Sequence, residues 1–464
     1  GPWAATGAAL ATVTSFSFLD HSSWLLSDVP FVALLMLALW AGDRALRDEA
    51  PALGWVVVAG VLAALVVLTR TAGLPVVAAL IASLALARRA PVRRFSAALV
   101  AGVLSGVPLL MWFFRGRGVA QEGAYGREFW LLDPYRPELG EIGLAALPAR
   151  ALDNLGRYLT DWLPATIGGP DAGVFGLVVW GVLIAALPGW WRALRTRVRP
   201  AELFAPLYVG LVLVWPSVWG GDRFALPLIP LLLVWALDRL QAATRERPVL
   251  QRRLAAAVVA GLLLLPLSAG ARTASASARV CRVAVEAAGP WACAGRGMLE
   301  FTEAARWAGA RLPEGSVTLT RKPRIWHAMS GQATRTYPFT TDGDTLLAVA
   351  DRVGARYVVL DLLSAQAQGL AEAIGARLEA YCSVAGFGGA DGGPRTELLG
   401  ILPPAARLAE AESGMAGRIA RCPNAYLRQD AAAAGSPSTT PPTASGALPP
   451  YRAGSPIPLL SSGS

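Results

Sequence analysis

The sequence predicts a mostly α-helical, polytopic transmembrane bundle of about nine spans, followed by a small extracytoplasmic α/β domain. Three observations carry this expectation. Of the 464 residues, 54% are hydrophobic and only 16% charged, where soluble domains carry about 25% charged residues; the mean hydropathy is +0.45. Apolar runs near the length that crosses a bilayer recur along the chain. The net charge of +10 is almost wholly arginine, Lys322 being the only lysine. These arginines gather in short connections between the runs.

The expected spans are Trp3–Phe18, Trp24–Ala41, Leu53–Leu68, Leu74–Ala87, Ala97–Phe114, Gly173–Trp190, Leu203–Val218, Phe224–Leu240 and Leu254–Ala269. Arg88, Arg89, Arg93 and Arg94 fill one connection. Arg192, Arg195, Arg197 and Arg199 fill another, and Arg239, Arg245, Arg247, Arg252 and Arg253 a third. Two spans separate each from the next, so all three fall on one side, and positive charge makes that side cytoplasmic. Arg44 and Arg47 join them by alternation. The outer side receives Asp20–Asp28, Arg70–Gly73, the long loop Arg115–Asp171, Trp219–Arg223 and everything after Ala269. The long loop carries six arginines against eight acids and lacks the bias. A localisation in the cell (inner) membrane follows, with membrane lipids as partners. A basic chain can also bind nucleic acid, but no basic-aromatic repeat or zinc spacing supports that partner. Gly1-Pro2-Trp3 opens inside an apolar stretch without a Met or a charged leader. We therefore expect a fragment with further segments upstream; Gly-Pro also fits an expression remnant.

The stretch Leu26-Ser27-Asp28-Val29-Pro30-Phe31 organises the second run. Proline is tolerated in a first helical turn, and a carboxylate there favours the helix's positive end. Asp28 is expected either to cap its helix or to line a polar rim together with Asp20 and His21. In the long loop, Leu144, Leu147, Ala151, Leu155 and Leu159 recur at helical spacing. They predict an amphipathic helix, lying on the outer membrane surface or packed on the bundle.

Three regions follow: 1–270 helical, including the outer loop 115–171; 271–430 soluble; and 431–464 a tail. Within the soluble region helices are expected over Leu299–Leu312, Asp344–Val353 and Ala365–Ala373. Strands are expected over Ser316–Thr320, Arg356–Leu360, Arg377–Val384 and Glu397–Leu402. Alternation of the two predicts an α/β domain. The Pro-, Ser- and Ala-rich tail cannot bury enough apolar surface to order itself. All four cysteines, Cys281, Cys293, Cys382 and Cys422, lie in the outward region. An even count there suggests disulfides, and Cys281–Cys293 with Cys382–Cys422 is the pairing chosen among three. The lack of a CxxC pair and the scarcity of histidines, His21 and His327 only, argue against zinc.

No P-loop, GxSxG, HExxH or dinucleotide fingerprint is present, and neither a cofactor nor a metal is expected. Charges kept near a membrane are functional candidates. Arg70, in Thr69-Arg70-Thr71-Ala72-Gly73, has the planar fork that suits phosphate; the bland alternative is snorkelling to the interface. Arg223 stands at the mouth of another span, in Asp222-Arg223-Phe224-Ala225-Leu226-Pro227-Leu228-Ile229-Pro230. It is expected to grip a phosphate, to pair with Asp222, or to snorkel. Asp222 joins Asp28, His21 and Asp20 as a candidate lining a polar cavity.

These elements resemble those of GT-C membrane glycosyltransferases, a superfamily that includes protein mannosyltransferases and lipid A aminoarabinose transferases. Ser27-Asp28-Val29-Pro30-Phe31 resembles the family's Ser-(Glu/Asp)-x-Pro element. Arg70-Thr71-Ala72-Gly73 resembles its Arg-Pro-x-Gly element, with Thr71 in place of Pro. Arg223-Phe224-Ala225-Leu226-Pro227-Leu228-Ile229-Pro230 resembles its Arg-Tyr-x-x-Pro-x-x-Pro element. The three occur in the family's order within residues 1–270. The resemblance implies sugar transfer from a polyprenyl-phosphate donor to a glycan, lipid or protein acceptor at the outer face. Arg223 and then Arg70 would stabilise the leaving phosphate. The family's acidic element in its first outer loop has no match, so no catalytic residue is assigned. A transporter or lipid flippase, which predicts internal repeats and midplane charges, and a non-catalytic scaffold presenting the soluble domain are the alternatives.

Overall fold

The structure is a computed structural model describing residues 2–23, 27–48, 50–86, 91–116, 125–169, 173–246, 248–361, 363, 366–388, 396–407 and 419–428. Arg88, Arg89, Arg247 and the tail 431–464 lie outside them. The chain is mostly helical and divides into two compact units, Gly1–Phe129 with Ile142–Ala274, and Trp130–Glu141 with Ser275–Ser464.

The helices of the first unit are α1 (Pro2–Val13), α2 (Phe16–Ser23), α3 (Asp28–Ala45), α4 (Leu53–Thr69), α5 (Leu74–Ala85), α6 (Pro91–Gly116), α7 (Tyr125–Glu128), α8 (Leu147–Arg157), α9 (Leu163–Gly168), α10 (Gly173–Thr196), α11 (Pro200–Val214), α12 (Asp222–Ala225) and α13 (Ile229–Ala243). After them α14 runs Pro248–Ala288, well past the end of the expected ninth span. Among the described residues three helical stretches are long and apolar enough to cross a membrane: Val92–Arg115, Gly176–Thr196 and Asp222–Ala243. Leu53–Thr69, Thr71–Ala85 and Pro200–Val214 are shorter apolar helices.

Two expected spans are interrupted. The run Trp3–Phe18 breaks between α1 and α2, where hydroxyls compete for backbone carbonyls. Thr12 Oγ1 donates to the Ala8 carbonyl and Ser15 Oγ to that of Thr12, both at 2.7 Å. The run Leu203–Val218 ends at Val214, because Pro216 forces Trp215 out of the helical region into extended backbone (ψ 148°).

The packing of α4 on α6 is built from small residues. Ala97, Ala101 and Ser105 of α6 recur every four residues and are buried, and Ala101 meets Gly60 of α4. A Cβ on Gly60 would stand 3.1 Å from Leu104 and 3.3 Å from the Ala101 backbone. Small residues let helix axes approach closely. The large side chains of α6 point away: Phe95, Leu99, Met111, Trp112 and Phe113 are all more than half exposed. At the far end of α3, Asp43 draws in two arginines, Arg199 at 3.3 Å and Arg47 at 3.8 Å. Arg44 lies over the rings of Trp40 and Trp55 there.

The second unit holds a five-stranded sheet in the order β2-β1-β3-β5-β4. The strands are β1 (Val317–Leu319), β2 (Ala333–Arg335), β3 (Ala355–Leu360), β4 (Tyr381–Phe387) and β5 (Thr396–Ile401). β1 runs parallel to β2 and β3, and β5 runs antiparallel to β3 and β4. The helices are α15 (Arg296–Arg311), α16 (Pro323–Ser330), α17 (Gly343–Val353) and α18 (Gln366–Gly375). Side chains of β3 alternate. Tyr357 and Val359 pack with Phe301, Ala305 and Trp326 of α15 and α16. Val358 packs with Leu346, Leu370 and Ile374 of α17 and α18. The sheet is therefore covered on both faces. The short segment Trp130–Glu141 joins this unit through Tyr135, edge-on to Phe339 at 5.1 Å.

The cysteines pair as Cys281–Cys293 and Cys382–Cys422, the pairing chosen from the sequence. Gly400 leaves room for the second pair: a Cβ there would meet both sulfurs within 2.8 Å. That bridge closes a separation of 40 residues. Replacing Cys382 and Cys422 with serine should lower stability by about 4 kcal/mol in the loop-entropy account. Thermal unfolding without reductant checks this, and a melting temperature equal to wild type refutes it.

Candidate functional site

Five connections of the first unit that are far apart in sequence meet at one place. They are the α1–α2 region, the start of α3, the turn after α4, the α8–α9 region and the start of α12. The polar residues they supply form two groups around the ring of Phe224.

The first group is a buried ion pair. Asp28 opens α3, and its carboxylate accepts from Arg70 Nη1. Asp28 is 3% exposed. The sequence left a choice between a helix cap and a polar rim; the carboxylate is turned to Arg70, and Ser27 at the N-cap position makes no side-chain cap. A buried charge is tolerated when it is paired and hydrogen-bonded. Arg70 also lies against two rings, 5.9 Å from the centroid of Phe31 and 5.1 Å from that of Phe224. The turn after Arg70 is a short 3₁₀ segment, Thr71–Gly73. A Cβ on Gly73 would come 3.0 Å from Phe31 and 2.5 Å from Val66. Only glycine lets this turn settle on the ring beneath Arg70.

The second group centres on Asp222. Its carboxylate accepts from the Ser17 hydroxyl, and His21 Nε2 lies 3.4 Å away, within ion-pair range. The Asp222 carbonyl accepts from Thr166 Oγ1 at 3.2 Å. His21 is buried, and neither ring nitrogen completes a hydrogen bond. Serine bonds the carboxylate here rather than the imidazole, so this is not a nucleophile-activating triad. Asp20 lies on the same helix as His21 and is exposed.

Arg223 follows directly, with its guanidinium 4.9 Å from the Phe224 centroid. Both arginine candidates thus rest against one aromatic face system, which suits a cation. Pairing of Arg223 with its neighbour Asp222 is not what forms, since Asp222 is engaged by Ser17 and His21.

The α8–α9 region closes the site. Between these helices the chain makes one π-helical turn, Tyr158–Trp162, a feature often found at functional places. The turn carries Trp162 onto Gly220, where any Cβ would collide with the indole. Tyr158 packs edge-on to Trp162 at 4.6 Å. Burial pushes the Tyr158 phenol above its ordinary range, with Arg223 opposing and Asp222 adding to the shift. Tyr158 is therefore within electrostatic reach of both. The amphipathic helix α8 is fastened to the bundle: buried Asn154 donates to the carbonyls of Leu213 and Trp215 at 2.7 and 2.8 Å. Leu144 and Leu152 stay exposed.

Of the residues singled out in the sequence, Asp28, Arg70, His21, Asp222 and Arg223 are brought together; Ser17, Tyr158, Trp162, Thr166 and the anchoring part of Asn154 carry no signal of their own in the sequence. No group of three His, Cys, Asp or Glu side chains able to hold a metal occurs among the described residues. No family model, no curated protein and no solved structure matches the chain.

The Asp28–Arg70 pair makes a direct test. Asp28→Ala removes the carboxylate that Arg70, itself mostly shielded from solvent, donates to, and should cost about 3 kcal/mol. Asp28→Leu combined with Arg70→Met should recover most of that loss. Thermal unfolding in detergent of both variants and wild type reads it; a single variant as stable as wild type would overturn the pair's importance.

Proposed function

We propose that this chain is an integral membrane glycosyltransferase that takes a sugar from a polyprenyl-phosphate donor and passes it to an acceptor at the outer face. The observation that carries the reading is the meeting of Arg70 and Arg223 on Phe224. They come from connections assigned to the same, outer side by charge alternation alone. One arginine is held by Asp28, and the other stands beside it with its carboxylate neighbour otherwise engaged. An arginine fork presented this way matches a phosphate oxyanion.

The membrane part of the proposal rests on the apolar helices and on the inverted packing of α6. Small residues lie inward and large apolar ones outward, as suits a helix whose outer face meets lipid. In this reading the shorter apolar helices also cross, giving about nine spans in all. The Asp43–Arg199–Arg47 group then sits on the cytoplasmic side. The second unit, with its disulfides, lies outside. The role of the arginines is electrostatic: they offset charge growing on the leaving polyprenyl phosphate. Asp28 fixes Arg70, while Ser17 and His21 engage the Asp222 carboxylate.

Binding of a polyprenyl-phosphate analogue to purified protein tests the site. A charge-assisted contact is worth roughly 1.5–3 kcal/mol, so Arg223→Ala should weaken binding about 10- to 150-fold. Arg223→Lys keeps the charge but loses the planar fork, and should recover only part of it. Equal affinities for wild type and both variants, with folding intact, would remove Arg223 from the donor site. Topology is tested separately with a membrane-impermeant thiol reagent on intact cells. Arg335→Cys should be labelled and Arg245→Cys protected; the reverse pattern overturns the orientation.

A further inference from the structure

Among the polar groups that the second unit's own fold leaves unsatisfied, three, on Arg321, Tyr337 and Asp361, follow the ends of neighbouring strands of its sheet. Strands β2, β1 and β3 are mutually parallel neighbours, so their carboxyl ends lie along the same edge. Just beyond those ends the chain places Tyr337 after β2, Arg321 and Lys322 after β1, and Asp361 after β3. Open α/β sheets bind ligands beyond the carboxyl ends of their strands.

Tyr337 is 2% exposed and Asp361 is 1% exposed. The Tyr337 hydroxyl and Asp361 Oδ2 are both buried without a hydrogen-bond partner among the described residues, as is Arg321 Nε. The other Asp361 oxygen accepts from the Leu363 amide at 2.9 Å, which holds the carboxyl in place. Buried polar groups are nearly always paired, so three such atoms at a strand-end edge ask for an outside partner. The groups also sense one another. Burial raises the Asp361 carboxyl, and Arg321 and Lys322 pull it down. Burial raises the Tyr337 phenol, with Asp361 adding and Arg321 opposing. Arg321 is braced over aromatic rings, 4.9 Å from the Phe339 centroid and 5.9 Å from that of Tyr135. Such stacking fixes a guanidinium plane while leaving its N–H edge to bind.

We infer that the second unit binds a small hydroxylated anion of the sugar-phosphate class at this edge, with Arg321 and Lys322 on the oxyanion and Tyr337 and Asp361 on a ring hydroxyl. The chemistry selects this class. Two cations at the strand ends favour an anion, and the braced fork of Arg321 suits an oxyanion. Phosphate oxygens accept from the arginine, while the phenol and the carboxylate oxygen call for a group that accepts from one and donates to the other. A hydroxyl group both donates and accepts. It can donate to Asp361 Oδ2 while accepting from the Tyr337 hydroxyl.

The site is independent of the transferase reading, because it uses none of the residues around Phe224. Calorimetry on the full chain in detergent tests it with glucose 1-phosphate, galactose 1-phosphate and mannose 1-phosphate, and with inorganic phosphate and glucose for comparison. At least one sugar phosphate should bind more tightly than inorganic phosphate. Tyr337→Phe, which removes a single oxygen, should weaken that binding about tenfold, the scale of one hydrogen bond. It should leave inorganic phosphate unchanged. Arg321→Ala should weaken both by tenfold or more, with Arg321→Lys between. No sugar phosphate binding above inorganic phosphate overturns the inference. So does binding that Tyr337→Phe leaves unchanged, which would mean that buried water completes the polar pair. Loss of sugar-phosphate binding in Arg223→Ala but not in Arg321→Ala would move the ligand to the other unit and equally overturn it.

Discussion

The first unit depends on one buried charge finding its counter-charge. Asp28 is almost wholly removed from solvent at the start of α3, and an ionised carboxylate there is tolerable only when paired. Arg70 supplies the pair from the end of α4, so the two elements must stay in register. That requirement reaches further. The turn after Arg70 has to lie flat on Phe31, and only glycine at position 73 leaves room. The guanidinium then presses on Phe224, which locates the start of α12. The same pair that stabilises the bundle end also sets where the second arginine stands.

Packing elsewhere in this unit follows a different economy from that of the second unit. In α6 the buried stripe is Ala97, Ala101 and Ser105, while Phe95, Leu99, Met111 and Trp112 face outward. In α15 the order is reversed, with Phe301 fully buried beside Ala304, Ala305 and Ala308. Burying large apolar groups drives the second arrangement in water. It cannot drive the first if the surroundings are themselves apolar. There the gain comes from close backbone approach and from polar contacts at the helix ends.

How much of this was legible depended on whether the signal was local. The helices near Leu299–Leu312 and Asp344–Val353 and the strand Arg356–Leu360 were visible because their periods are written in consecutive residues. The three-residue strand β2 and the two-turn helix α16 were not, being too short to show a period. The break between α1 and α2 was hidden by composition: Thr12 and Ser15 sit in an apolar run, and only the fold shows their hydroxyls bonding backward. Asp28, Arg70 and Arg223 stood out because charges are scarce in such a chain. Ser17, Thr166 and Trp162 carry no such mark. They matter only through contacts made across long stretches of sequence, with Ser17 and Asp222 more than two hundred positions apart.

The state of Arg223 follows from what surrounds Asp222. Adjacent opposite charges at a helix start would ordinarily pair or be solvated separately, and a paired arginine has less to offer a ligand. Here the Asp222 carboxylate already accepts from Ser17 and faces His21, and its carbonyl accepts from Thr166. Each of those partners is itself fixed. Thr166 is fully buried and bonds back to the Trp162 carbonyl at 2.6 Å. Ser17 is buried on α2, one turn before His21. The π-helical turn that brings Trp162 onto Gly220 therefore acts on Arg223 indirectly. It holds the segment that holds Asp222, and so keeps the nearest carboxylate occupied. Directing the Asp222 carboxylate toward Ser17 and His21 leaves Arg223 without an ion pair to its own neighbour, with its guanidinium against the ring of Phe224.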